Sequence, residues 1–129
     1  MAPRRAFASR ATVRAGGESM AIRKRNLFRP PEPPPAEELC EEWAAGPAAR
    51  VERIFSTGQA SPPGFWYDQE RDEWVALLSG AATLLFADGE RVELAAGDAL
   101  LIPARTRHRV ERTSADPPCV WVAVHADLR

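Results

Sequence analysis

Gly97-Asp98-Ala99-Leu100-Leu101-Ile102-Pro103-Ala104-Arg105-Thr106-Arg107-His108 is the stretch on which the fold turns. Gly97-Asp98 marks a tight turn, and Ala99 to Ile102 is an apolar run of strand length. Pro103 ends the run because proline cannot donate to a ladder, and Arg107 to Thr113 then opens a further strand. Working outward, Asp88-Gly89 reads as a hairpin between Ala81 to Ala87 and the return strand Arg91 to Leu94. Glu73 to Ser79 is a strand set off near Gly80, and Val120 to His125 is the last. The first run holds Val51, Ile54 and Phe55 and closes at Ser61-Pro62-Pro63-Gly64. About seven or eight short strands at this spacing predict an all-β sandwich, jelly roll or barrel.

With 129 residues, 45% of them hydrophobic, the chain can build one core and not two. No apolar run approaches the roughly 20 residues of a membrane span. The net charge of -1 is unevenly spread: seven of the 17 Lys and Arg precede residue 27, where Glu18 is the lone acid. The remainder is acidic, the opposite of a nucleic-acid-binding surface, so no nucleic-acid partner is expected. Cys40 and Cys119 lack paired zinc-site spacing and read as two buried thiols in a reducing, cytoplasmic setting.

Residues 1–25 form a basic Arg/Ala/Ser-rich tail without apolar periodicity, expected to be disordered; Met20 is a candidate true start. Residues 26–48 comprise a Pro-rich lead, with Pro30, Pro31, Pro33, Pro34 and Pro35, and then one short helix beginning at Pro35 or Ala36. Glu37, Glu38, Glu41 and Glu42 lie towards its N-terminal turns, Leu39 and Trp43 share a face, and Gly46-Pro47 stops it. Residues 49–129 form the barrel.

The stretch 97–108 resembles the second motif of the cupin superfamily, which runs Gly, five residues, Pro, any residue, Gly, two residues, His; here Arg105 replaces the inner glycine. Glu73 with Gly80 resembles the end of the first motif, whose two histidine positions fall on Tyr67 and Gln69, or on Trp66 and Asp68 with a longer spacer. The chain is similar to small single-domain bacterial cupins with a degenerate first motif, and the likeness runs from residue 49 to 127. It implies a cupin jelly-roll β-barrel and a barrel-centred site.

Placed by that resemblance, His108 faces the interior beside Glu73, with Arg107 and Arg109 alternating to the opposite face. Glu73, directed inward, needs a metal, a basic partner or a proton to offset desolvation, unless it belongs to a solvated acidic run with Asp68, Glu70 and Asp72. Tyr67 and Gln69 share one strand face. The candidate metal ligands are Gln69, Glu73 and His108, a harder and weaker set than three histidines and a glutamate. The candidate catalytic residues are Tyr67, Glu73 and His108, and Trp66, Tyr67 and His125 are candidate pocket residues. His125 shares a face with Trp121 and Ala123; a hydrogen-bonded histidine at a strand end is the alternative to a ligand role.

Two functions follow from the resemblance. One is a metal-dependent cupin, an oxygenase, lyase or isomerase, holding iron, manganese, nickel or zinc and acting on a small oxygenated molecule. The other is a metal-free barrel that binds or senses a small molecule, with metal-free acid and base chemistry by Glu73 and His108 as a further variant. The resemblance also implies a homodimer, since open sheet edges invite pairing.

Overall fold

The computed structural model describes residues 21–129 and a three-residue strand within the tail. That strand, β1 (Ala11–Val13), is followed by β2 (Leu39–Ala45), β3 (Ala49–Ser56), β4 (Asp72–Ser79), β5 (Ala81–Phe86), β6 (Arg91–Ala95), β7 (Ala99–Ile102), β8 (His108–Thr113) and β9 (Cys119–Ala126). The rest of the expected disordered tail, residues 1–10 and 14–20, lies outside the described residues.

The strands make two sheets. One runs β1-β2-β3-β9-β4-β7 and the other β6-β5-β8. All pairings are antiparallel except β1 with β2. Their inner faces enclose Ile54, Val75, Leu77, Leu84, Val110 and Trp121, each 1% exposed or less. Burial of such side chains stabilises by about 1.5–3 kcal/mol each, which is what drives the two apolar faces together. The all-β jelly-roll expectation holds, and β4 to β9 match the expected strands to within one residue at their ends.

The expected helix is absent, and its residues form β2. Pairing with β3 sets Cys40 against Ile54 in the core and Glu41 against Arg53. The acidic residues that resemble a helix N-terminus serve the sheet instead: Glu41 accepts from Arg53 Nε, and Glu38 accepts from the Ser56 hydroxyl at 2.9 Å. Long-range partners here outweigh a local helical spacing worth only tenths of a kcal/mol per residue.

Two positions fix turns of the barrel, Gly80 at the end remote from Glu73 and Arg105 just ahead of His108. Gly80 has φ +87°, and a Cβ there would lie 2.8 Å from Cys119 Sγ and 2.9 Å from the Pro118 carbonyl, so only glycine fits. Arg105, with φ +63°, is in the left-handed region that glycine would occupy without cost. Its backbone N–H donates to Gln69 O at 2.7 Å and its Nε lies 3.0 Å from Asp68 Oδ1. These contacts tie the 66–70 segment to the turn that leads into His108.

Candidate functional site

β3, β4 and β8 begin, and β9 ends, at one end of the barrel. A single cross-strand row there reads Arg50 (β3), His125 (β9), Glu73 (β4), Ile102 (β7), each directly opposite the next. Ile102 is in the core, so alternation turns the whole row inward. Glu52, two residues beyond Arg50, points the same way. Glu52 and Glu73 are both 0% exposed, His108 2% and His125 3%.

Ionised side chains this deeply buried require compensation. Glu52 receives it from two sides, with Arg50 Nε 3.0 Å from Oε2 and His125 Nε2 3.1 Å from Oε1. Arg50 can only donate, which keeps Glu52 as an acceptor, so His125 Nε2 carries the hydrogen in this contact. That nitrogen is also 4.0 Å from Glu73 Oε2.

His108 presents the opposite chemistry. Its Nδ1 is 2.8 Å from the Thr106 carbonyl, which can only accept, so Nδ1 is the donor. In the neutral ring Nε2 then keeps its lone pair, and it lies 3.9 Å from Glu73 Oε1. The ring is held by Tyr67, stacked at 5.3 Å between centroids, and by Phe86 at 5.8 Å. Tyr67 and His108 also exchange backbone hydrogen bonds of 2.7 and 3.2 Å.

Tyr67, Glu73, His108 and His125 are therefore brought together. Gln69 lies two residues from Tyr67, and its Nε2 is buried without a hydrogen-bond partner among the described residues. Trp66 turns elsewhere, with the guanidinium groups of Arg107 and Arg109 over its ring at 5.6 and 5.9 Å. Asp68 is engaged by Arg105. Glu52 and Arg50 were not among the candidates, although their spacing of two and four from Ile54 was the available signal that they face inward.

Asp72, next to Glu73 but on the opposite face, fastens the C-terminus. Its carboxylate accepts from the backbone N–H of Leu128 and Ala104, at 2.8 and 2.7 Å, and from Arg129 Nε at 3.0 Å. The Leu128 and Ala104 bonds, with a smaller contribution from Arg129, hold it below its ordinary value of 3.8 against the opposing effect of burial.

The family model for the cupin domain matches residues 53–125, a span that includes Glu73, His108 and His125. The chain belongs to the cupin family. A solved structure from Ralstonia eutropha JMP134, provisionally named a mannose-6-phosphate isomerase, is 41% identical over 83% of this chain and all of its own, with a TM-score of 0.76. A cupin superfamily protein from Desulfitobacterium hafniense DCB-2 is 18% identical over 83% of this chain and all of its own, with a TM-score of 0.62. KdgF from Halomonas sp. is 21% identical over 74% of this chain and 84% of its own, with a TM-score of 0.59. These last two share the fold. A comparison with curated proteins returned no match. Among the described residues no helix is long and apolar enough to cross a membrane.

Proposed function

We propose that this cupin binds a divalent metal ion and a small oxygenated molecule at the Glu73–His108 end of the barrel. The observation that carries the reading is the fixed ring of His108: with Nδ1 donating to Thr106, the Nε2 lone pair faces a carboxylate oxygen 3.9 Å away. An imidazole lone pair and a carboxylate oxygen are both ligands for a divalent cation. The donor set fits a weakly held, hard divalent ion. Glu73 and His108 would hold it, and the Gln69 amide, turned so that its oxygen takes the buried nitrogen's place, would add a neutral ligand. When bound, the ion would polarise a carbonyl or hydroxyl oxygen of the ligand.

The protein's own residues do the remainder. Tyr67 and Phe86 hold the imidazole plane of His108, and Thr106 holds its tautomer. His125, committed through Nε2 to Glu52, is a hydrogen-bond donor beside Glu73 and not a fourth ligand. A hydroxylated, sugar-like ligand agrees with the name of the 41% identical neighbour.

A second reading, metal-free binding or acid and base chemistry by Glu73 and His108, is favoured by one observation. Among the described residues there is no group of three or more His, Cys, Asp and Glu side chains placed to hold a metal. Metal analysis by mass spectrometry of the full chain, made without a histidine tag, separates the two. Near-stoichiometric iron, manganese, nickel or zinc that disappears in Glu73→Ala and His108→Ala is the expected result. A protein that holds no ion and takes up none when these metals are supplied would overturn the metal reading.

A further inference from the structure

Arg50 is the one member of the buried row that solvent reaches. Its side chain is 29% exposed, whereas Glu52, Glu73, His108 and His125 are closed off. Arg50, His125 and Glu73 are consecutive positions of one row, so the guanidinium is the solvent-reached group beside the buried carboxylate and imidazoles.

The guanidinium is only partly used. Nε is committed to Glu52, which is Arg50's sole polar partner among the described residues, and this leaves the two Nη groups with their parallel donors. Glu52 in turn divides its charge between Arg50 and His125, contacting one with each oxygen. A guanidinium fixed through Nε, with both Nη groups left to donate, is pre-organised for a bidentate oxyanion, and little side-chain entropy remains to be lost on binding.

The geometry points to Arg50 as the specificity-determining residue of the barrel mouth, recognising a carboxylate or phosphate group on the small molecule whose other end reaches Glu73 and His108. This inference rests on the site proposed above and names the class of its ligand: a small oxyanion-bearing compound. Glu52 is then a positioning residue, holding the Arg50 fork by Nε and the His125 ring by Nε2.

The test is a titration of the full-length protein with inorganic phosphate and, separately, with malonate, at constant ionic strength set with sodium chloride. The readouts are the arginine Nε–H and histidine ring resonances. Saturable movement of the Arg50 Nε–H and His125 signals is expected with at least one probe. A response to phosphate alone assigns a phosphorylated ligand, a response to malonate alone assigns a carboxylate, and a response to both assigns recognition of either oxyanion. Arg50→Gln is expected to weaken binding by about 10- to 100-fold, the range set by losing a charged hydrogen-bonding group. Arg50→Lys, which keeps the charge and loses the fork, should fall between.

Because Arg50→Gln removes a partner from buried Glu52, the neutral pair Arg50→Gln with Glu52→Gln provides a folded comparison. Its anion affinity should be as low as that of the single variant. No saturable shift with either probe, or wild-type affinity in Arg50→Gln and in the paired variant, would overturn the assignment. The outcome is separable from the metal measurement: a metal-free chain that still binds phosphate through Arg50 would sink the metal reading and leave this one standing.

Discussion

Removing the Glu52 carboxylate should be among the most damaging single changes in the barrel. The group is 0% exposed and holds Arg50 at 3.0 Å and His125 at 3.1 Å. Truncation in Glu52→Ala leaves one guanidinium and one imidazole donor facing a void. The His125 donor stays desolvated at a cost of about 1–3 kcal/mol and the lost packing of the buried side chain adds about 2 kcal/mol, whereas Arg50 regains water, for about 3–5 kcal/mol in all. For a domain of this size each kcal/mol moves the midpoint by about 3–6 °C, so a loss of roughly 9–30 °C is expected. The isosteric Glu52→Gln retains one acceptor oxygen, leaves one donor facing an amide NH2, and should cost about 1–3 kcal/mol. Thermal and urea unfolding followed by circular dichroism measures both. A double-mutant cycle of Glu52→Gln with His125→Gln should show coupling of about 0.5–3 kcal/mol. If Glu52→Ala loses less than about 1 kcal/mol, or the cycle is additive, the carboxylate does not carry the burden assigned to it.

Acid stability should report Asp72. Its folded-state value is depressed, so the native state binds fewer protons than the unfolded chain, and the contribution is complete above the ordinary 3.8 and lost as the pH falls through the lowered value. Asp72→Asn is expected to lower stability at neutral pH and to flatten the acid limb of the stability curve, and an unchanged limb would contradict this. The outward face of this sheet, which Asp72 shares with Trp74, should be covered by a second copy of the chain. Val51, Val124, Trp74 and Leu101 form one outward row, Trp74 is 41% exposed, Leu101 38% and nearby Leu128 41%, and β7 is an open edge beside them. Sedimentation velocity should find a dimer that Trp74→Glu dissociates, and a monomeric wild-type protein would refute the pairing.

The strands of the barrel were legible because each is bounded by a residue with a backbone task. Gly80 and Gly97 take positive φ, Asp88-Gly89 closes a hairpin, and Pro103 ends β7. β2 was misread as a helix because its acidic residues and the four-residue spacing of Leu39 and Trp43 satisfy a local rule. The partners that decide its conformation, Arg53, Ile54 and Ser56, come from the next strand. Local pattern reports propensity, and pairing across a turn overrides it.

The site was half legible for a related reason. Motif spacing located Glu73 and His108, and strand alternation put His125 with Trp121 and Ala123, but alternation alone does not say which face is core. Glu52 sits between Val51 and Arg53 and reads as a solvated charge unless Ile54 is already known to point inward. Once the row Arg50, His125, Glu73 is recognised, the missing histidines of the first motif take on a different meaning. The two imidazoles that remain are set in opposite senses. His108 donates through Nδ1 to Thr106 and presents a lone pair, while His125 donates through Nε2 to Glu52 and presents a hydrogen. Glu73 lies between them, 3.9 Å from one and 4.0 Å from the other. A carboxylate placed between an acceptor and a donor can take a cation on one side while it is held from the other. Under the proposed metal reading such an arrangement would need fewer histidine ligands than the family motif provides, and it makes Glu52, which lies outside the motif, the residue on which the orientation of His125 depends.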